Sequence, residues 1–384
     1  METRVAGKSL RFSGRYSCSA ASALVRLHLS GRQDEFVTAG DPCFPMQNSR
    51  KSEPFCSRSE PRTLQPMDPQ LKNIQPGGGF VIRLELLWGK VRRTWLRLFR
   101  RAYLKRMAAA RKGDFNPCPH DVLDPRDLKF FRNQGGYFWE AADDPFQWRD
   151  HLPFARVGLA ELLLMTAVSV ISVVFGITLM SRVTGIWLIL AWLLTVSCGV
   201  VGLLIVWFFR NPRRVVPSEP GQVVSPADGK VVEIEDLEYD EFIGGPAKKI
   251  GIFLSIFNVH INRAPIAGRV IGLKYRPGKY LNALRPESAR ENEQLGVMIE
   301  SLDVPWRGVI VRQITGAIAR RIVCWLKPGD ILGRGEQFGM IKLGSRTELI
   351  LPAESGLKIR VQIGQKVCAG TTVVACFEGS EGAR

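Results

Sequence analysis

The chain has 384 residues, enough for two or three domains, and its net charge of +17 predicts an anionic partner: a membrane surface, an acidic substrate or nucleic acid. It contains no zinc-finger spacing and no RNP-like string, so nucleic acid is not expected among its partners. The eight cysteines are scattered without CxxC spacing, which favours free thiols in a reducing compartment. Cys118 and His120 supply half of a metal site without a visible second half, so no metal is expected.

Residues 1–79 form a stretch rich in Ser, Arg, Pro and Gly, without sustained periodicity. The first 33 residues carry six bases and one acid, a bias typical of organellar transit peptides. A disordered basic tail, or sequence upstream of a later translation start at Met67, explains the same composition, and we favour that interpretation. We therefore expect that the chain can be shortened to Met67 with little effect, and that QPGGG is a linker.

Residues 80–112 are predicted to form a basic amphipathic helix. Seven positions at helical spacing define its apolar face: Leu84, Leu87, Trp88, Val91, Trp95, Leu98 and Ala102. Lysines and arginines fill much of the rest, which suits a helix lying in an anionic lipid interface. A calmodulin-type target helix, or a helix packed on its own protein, has the same pattern; the segments that follow favour the membrane. Residues 113–155 predict a small irregular subdomain.

Residues 156–210 predict a transmembrane helical hairpin. Its two apolar runs, 157–180 and 185–209, are each long enough to cross about 30 Å of hydrocarbon at about 1.5 Å per residue. A buried hairpin of a soluble protein is the alternative. The outer flanks carry Arg149, Arg156, Arg210, Arg213 and Arg214, whereas the connecting turn has only Arg182. The positive-inside rule then predicts that both flanks lie on the cytoplasmic face of the inner (plasma) membrane.

Residues 211–384 predict a mainly β domain, with the fold of a hybrid β-barrel or sandwich. Segments of alternating apolar and polar residues follow at short intervals, separated by Gly, Pro and Asn. The strings SPADGKVVEI and VQIGQKVCAGTTVVACF also look like the half-repeats of biotinyl and lipoyl carriers. A non-enzymatic membrane-tethered carrier is therefore an alternative. Such carriers hold their modified lysine at a tight turn, and this chain has no equivalent string. Lys342 resembles that lysine only loosely.

Three fragments of the β domain carry chemistry. They are SPADGKV with Asp228, SIFNVHINRAP with His260, and LGSR with Gly344 and Ser345. A serine hydroxyl needs a base to act as a nucleophile, and His260 is the one histidine after residue 210. Asp228, beside Gly229 in a turn, is the candidate that orients this histidine. A serine hydrolase would use the same three side chains, but the chain has no GxSxG elbow.

On these fragments, over roughly residues 208–377, the chain resembles the phosphatidylserine decarboxylase proenzymes of the short bacterial type. The resemblance implies that the Gly344–Ser345 bond cuts itself, leaving a heterodimer of a β chain (1–344) and an α chain (345–384). Ser345 would become a pyruvoyl group, the covalent cofactor, and Asp228 and His260 would assist. Longer relatives carry a second histidine where Phe257 stands here.

The same resemblance implies an anionic phospholipid substrate: phosphatidylserine would be converted to phosphatidylethanolamine and CO₂. Four basic residues are candidates for contact with its head group: Arg263, Lys274, Arg276 and Lys279. The hairpin is expected to hold the enzyme at the bilayer, while self-cleavage, being intramolecular, is expected to proceed without the hairpin.

Overall fold

The described residues of this computed structural model, 60–76, 80–317, 321–342 and 344–378, contain five α-helices and fourteen β-strands. The helices are α1 (Phe80–Phe99), α2 (Arg101–Ala110), α3 (Leu159–Met180), α4 (Ile186–Phe208) and α5 (Ser288–Glu291). The first seven strands are β1 (Gln222–Val224), β2 (Gly229–Asp240), β3 (Gly245–Leu254), β4 (Ile261–Arg263), β5 (Gly268–Arg276), β6 (Gln294–Ser301) and β7 (Gly308–Ile314). The others are β8 (Arg321–Cys324), β9 (Ile331–Leu332), β10 (Gln337–Lys342), β11 (Ser345–Pro352), β12 (Leu357–Ile359), β13 (Lys366–Val367) and β14 (Val373–Phe377).

The strands build one large sheet and two small ones, all antiparallel. The large sheet has the order β13-β2-β3-β11-β7-β6-β5-β9 and curls into a half-barrel, while the small sheets are β1-β14-β12 and β4-β10-β8. Period-two alternation drives the burial: Ile250, Ile252 and Leu254 of β3 are all fully buried in the main core. The prediction of a mainly β domain preceded by two apolar helices is confirmed.

The sheets bring the two halves of the candidate cleavage site together. Strand β11, which begins at Ser345, lies between β3 and β7 in the large sheet. Strand β10, which ends at Lys342, lies between β4 and β8 in a small sheet. The chain therefore passes from one sheet to the other across the Gly344–Ser345 bond. His260 directly precedes β4, which is paired with β10.

Helices α3 and α4 pack against each other through small side chains. Gly202 closely approaches Ser169, and Gly176 approaches Thr195; the Ser169 hydroxyl donates a hydrogen bond to the Cys198 carbonyl (2.6 Å). The outward faces are apolar and exposed: only 11% of the most hydrophobic window of each helix is buried. By length and composition, each of these two helices in the described part of the chain can cross a membrane.

The predicted basic helix is interrupted. Arg100, at φ −129° and ψ 42°, separates α1 from α2. The hydrophobic periodicity of the sequence does not reveal a break of one residue. Helix α1 packs on the following subdomain through Ile82 and Leu96, and through ion pairs from Arg92 and Arg93 to Asp127. That subdomain consists of short 3-10 helices and turns, and its apolar side chains form a second core with the base of the hairpin.

Residues 60–76 run along strand β5 and pack on the sheet, although the sequence predicted a tail over residues 1–79. The Gln65 amide donates to the Ile271 carbonyl (2.8 Å), and the Tyr275 amide donates to Asp68 (2.8 Å). Leu71 is buried in the main core. The short strand β9 pairs with only the start of β5, and the segment covers the rest of that edge. Covering an edge strand protects its unpaired backbone groups. Residues 1–59 lie outside the described residues.

Arg62 joins this segment to the sheet through a buried ion pair. Its guanidinium lies 3.1 Å from the Glu300 carboxylate, and its backbone amide also donates to Glu300 (3.0 Å). Removing one partner of a buried pair costs roughly 3–5 kcal/mol, so Arg62→Ala should clearly lower the melting temperature of the detergent-solubilised protein. The matched control is Lys279→Ala, at an exposed pair with Glu291, which should melt like wild type. Equal melting of Arg62→Ala and wild type would show that the segment is dispensable.

Candidate active site

His260 is held as a neutral base. Its Nδ1–H donates to the Asn258 carbonyl (2.9 Å), and the Asn258 side chain in turn accepts from the Ser255 amide and hydroxyl. The imidazole is fully buried beside the ring of Phe208, with 4.6 Å between ring centroids. Burial lowers the pKa of His260 to about 4; the hydrogen bond to Asn258 opposes this shift, and the charge of Arg210 adds to it. At neutral pH, Nε2 therefore carries a lone pair.

That lone pair accepts a hydrogen bond from the residue before Ser345. The Gly344 amide donates to His260 Nε2 at 3.2 Å. Ser345, the next residue, is fully buried, and its Oγ has no hydrogen-bond partner among the described residues. A buried hydroxyl without a partner is costly, and its presence beside a base is typical of a functional position. The structure thus brings Gly344, Ser345 and His260 together.

Two glycines shape the backbone around the predicted cleavage site. Gly344 has φ +66°, in the left-handed region that disfavours other residues, although a Cβ there would meet nothing within 4 Å. Gly316 lies against the carbonyl group of Gly344: a Cβ built on it would be 1.9 Å from that carbonyl oxygen. One glycine therefore supplies a conformation and the other supplies space.

This difference predicts unequal sensitivities to alanine. Gly316→Ala should slow self-cleavage by about 100-fold or more, because the scissile carbonyl must move away from its neighbours. Gly344→Ala should cost only the conformational penalty, about 1–2 kcal/mol. The rate of appearance of the two fragments on denaturing gels measures both. If Gly344→Ala were the slower variant, the packing of Gly316 would not govern the reaction.

Asp228 does not contact His260. One carboxylate oxygen pairs with Arg214 (2.6 Å) and the other accepts from the Ala369 amide (2.7 Å). No hydrogen bond joins Asp228 to the imidazole within the described ranges; the acceptor at Nδ1 is the Asn258 carbonyl instead. The carboxylate also attracts the charges of Arg210 and Arg263. Asp228 thus neutralises an arginine cluster at the exit of the hairpin and ties it to the segment before β14.

The four predicted head-group residues differ in their surroundings. Arg263 is buried and donates to the Gly335 carbonyl (2.9 Å), which commits it to the fold. Lys274, Arg276 and Lys279 are exposed at the end of β5 and just beyond it. They pair with Glu241, the Arg290 carbonyl and Glu291, respectively.

The base of the hairpin forms one wall of the site, which sequence reasoning missed. Besides the Phe208 ring on His260, the Trp207 indole and the Arg210 guanidinium both donate to the Phe257 carbonyl (3.2 and 2.8 Å). The backbone of Phe257 is thus tied to the hairpin. Phe208 and Gly316 had no detectable signal in one sequence, whereas Asn258 stood inside the histidine motif.

The candidate half metal site is a hydrogen-bonded turn. Cys118 Sγ and His120 Nε2 both contact the Asp127 carbonyl, at 3.8 and 3.1 Å. Burial raises the pKa of the Cys118 thiol to about 12, which disfavours the thiolate that a metal needs.

Comparison with known proteins identifies the family. The family described as phosphatidylserine decarboxylase matches residues 201–375. The phosphatidylserine decarboxylase proenzyme of Rhodopirellula baltica is 55% identical over 252 residues, 65% of this chain and 99% of that protein. The proteins of the same name from Carboxydothermus hydrogenoformans and Syntrophus aciditrophicus are 48% and 43% identical, over 46% and 44% of this chain and 81% and 78% of theirs. The chain belongs to the phosphatidylserine decarboxylase family.

Proposed function

We propose that this protein is a membrane-bound, self-processing decarboxylase that converts phosphatidylserine to phosphatidylethanolamine and CO₂. The observation that carries the proposal is the Gly344 amide on the unprotonated Nε2 of His260, with the hydroxyl of Ser345 buried and unpaired beside it. A family of proenzymes processes itself, and this arrangement contains the nucleophile, the base and the bond that such processing needs.

The proposed cleavage uses groups of the chain and one water molecule. His260 Nε2 takes the proton of Ser345 Oγ, which attacks the Gly344 carbonyl, and the peptide nitrogen leaves as the protonated amine. An ester now replaces the amide. Loss of the α-proton of residue 345 then expels the Gly344 carboxylate and ends the β chain there. The remaining dehydroalanine takes up water and releases ammonia, which gives the pyruvoyl group of the α chain.

The residues around Ser345 fit such a group. Its Oγ is a buried polar atom without a hydrogen-bond partner among the described residues, and the neighbouring Gly316 leaves no side chain over the Gly344 carbonyl. The pyruvoyl carbonyl supplies the electron sink for decarboxylation. His260 is the group of this chain placed to hold or return a proton there, and the exposed Lys274, Arg276 and Lys279 are the proposed contacts of the anionic head group.

A membrane location is supported by two surfaces. The hairpin exposes apolar faces along both helices. Helix α1 packs inward through Ile82, Leu96 and its arginine pairs, and it turns its apolar stripe outward. The exposed residues of that stripe are Leu84, Leu87, Trp88, Val91, Trp95 and Leu98. A helix packed only on its own protein would bury this stripe, so an interface with anionic lipid is the better fit.

The arginine-rich outer flanks of the hairpin support a cytoplasmic orientation for the β domain, at the inner (plasma) membrane. There the product would be a heterodimer of residues 1–344 and 345–384 acting on lipid in the same bilayer. The absence of a GxSxG elbow argues against a hydrolase with an intact serine.

The activity is tested with purified full-length protein in vesicles that contain phosphatidylserine labelled in the serine carboxyl. We expect release of labelled CO₂ and formation of an equal amount of phosphatidylethanolamine. The control is the same protein with vesicles of phosphatidylcholine. Complete self-cleavage without CO₂ release would separate the two halves of the proposal and refute the decarboxylase activity.

A further inference from the structure

A buried ionic cluster connects the hairpin to the strand that precedes the cleavage site. Glu161 lies in the first turn of α3, and its Oε1 accepts from Lys342 Nζ and from Arg321 Nη1, the latter at 3.2 Å. The three side chains are 12%, 9% and 19% exposed, respectively. Glu161 is the one charged residue of the apolar run 157–180.

The two cations of the cluster would repel each other without Glu161. Lys342 and Arg321 are directly opposite in the antiparallel pair of β10 and β8, and like charges in that position destabilise a sheet. Burial lowers the pKa of Lys342, the charge of Glu161 opposes that shift, and Arg321 and Lys129 reinforce it. Lys129 has its own partner, Glu85 of α1. Among the described residues, Glu161 is the one acid in ion contact with Lys342 or Arg321.

The cluster sits where the position of the backbone matters most. Lys342 is the last residue of β10 and lies two residues before Gly344, whose amide must stay on His260 Nε2. The other carboxylate oxygen of Glu161 is buried without a partner in the described structure, so one oxygen serves both cations. At the last residue of α4, Phe208 packs on His260 itself. The two ends of the hairpin therefore contact the base and the strand that leads to the scissile bond.

We propose that Glu161 is a positioning residue for self-cleavage: by neutralising the opposed Lys342 and Arg321 it keeps the end of β10 in place, so that the bond is cut only after the hairpin has folded against the β domain. This inference rests on the proposed self-processing. Bond changes stay on His260, Ser345 and Gly344, and Glu161 acts through Lys342. Maturation would then be confined to chains whose hairpin is in place. From the sequence we expected a chain without the hairpin to cleave itself. On this proposal, we expect that such a chain stays uncleaved.

The test is the cleavage rate of full-length variants synthesised into phospholipid vesicles, followed on denaturing gels. Glu161→Gln keeps the size of the side chain but leaves both cations uncompensated, and it should slow cleavage by about tenfold or more. The double variant Glu161→Gln/Lys342→Met removes the repulsion and should recover most of the wild-type rate. The matched control is Glu85→Gln, which removes the acid of the neighbouring pair with Lys129 and should cleave like wild type.

Three results would overturn the inference. Cleavage of Glu161→Gln at the wild-type rate would show that the cluster does not position the bond. Slow cleavage of both Glu161→Gln and the double variant would indicate a general loss of structure, because a purely structural defect is not rescued by a second substitution. An uncleaved wild-type chain would instead refute the proposed self-processing, and this inference with it.

Discussion

Ser345→Ala should yield a single uncleaved chain of 384 residues without decarboxylase activity. No hydroxyl remains to attack the Gly344 carbonyl, and no precursor of a pyruvoyl group remains at position 345. The loss should be complete rather than partial, because the same atom is both the nucleophile and the source of the cofactor. Denaturing electrophoresis reports the cleavage, and CO₂ release from phosphatidylserine vesicles reports the activity.

The fold should survive this substitution, since Ser345 Oγ makes no hydrogen bond in the described structure and its removal breaks none. The variant should therefore insert into membranes and melt no earlier than the unprocessed wild-type chain. Ser345→Thr is the informative control, because it retains a hydroxyl and can cleave but cannot form an unmodified pyruvoyl group. A processed and active Ser345→Ala protein would falsify the assignment of this residue.

His260→Ala should slow self-cleavage by roughly 10²–10⁴-fold, the range expected for loss of a positioned general base. Asp228→Asn should have a smaller effect, because Asp228 contacts Arg214 and the Ala369 amide rather than the imidazole. From the sequence we expected both changes to block processing. An Asp228→Asn defect as deep as that of His260→Ala would mean that Asp228 moves onto the histidine during the reaction.

The pH dependence offers a second check on His260. Its folded-state pKa is lowered to about 4, so the imidazole is the free base above that value and becomes protonated below it. The cleavage rate should therefore stay constant while the pH falls through the ordinary histidine range, and decline only on approach to 4. A rate that halves near the unperturbed histidine pKa would show that the base is solvated in the reacting state.

Much of the fold and the centre of the site could be predicted because their signals are local. Alternation of apolar residues indicated the β domain, and two long apolar runs indicated the hairpin. The Gly344–Ser345 pair and His260 were found through short strings that keep their meaning without three-dimensional context. Gly344 adopts a left-handed backbone conformation that favours glycine.

The remainder depends on contacts between distant segments, which one sequence does not encode visibly. The Asp228 turn looked suited to orient a histidine, yet its carboxylate pairs with Arg214, which follows the hairpin. Residues 60–76 have the composition of a tail but cover an open strand edge, and no periodicity marks such a segment. Glu161 resembled an ordinary helix-start acid, and its partners are 160 and 181 residues away.

The intact mass of the C-terminal fragment from the full-length protein tests the central claim most directly. Cleavage between Gly344 and Ser345 with conversion of the serine predicts residues 345–384, lighter by one ammonia than the same peptide with an N-terminal serine. The companion fragment should end at Gly344 with a free carboxylate. A single mass for the uncut chain, or a fragment that retains an intact serine at its first position, would contradict the account.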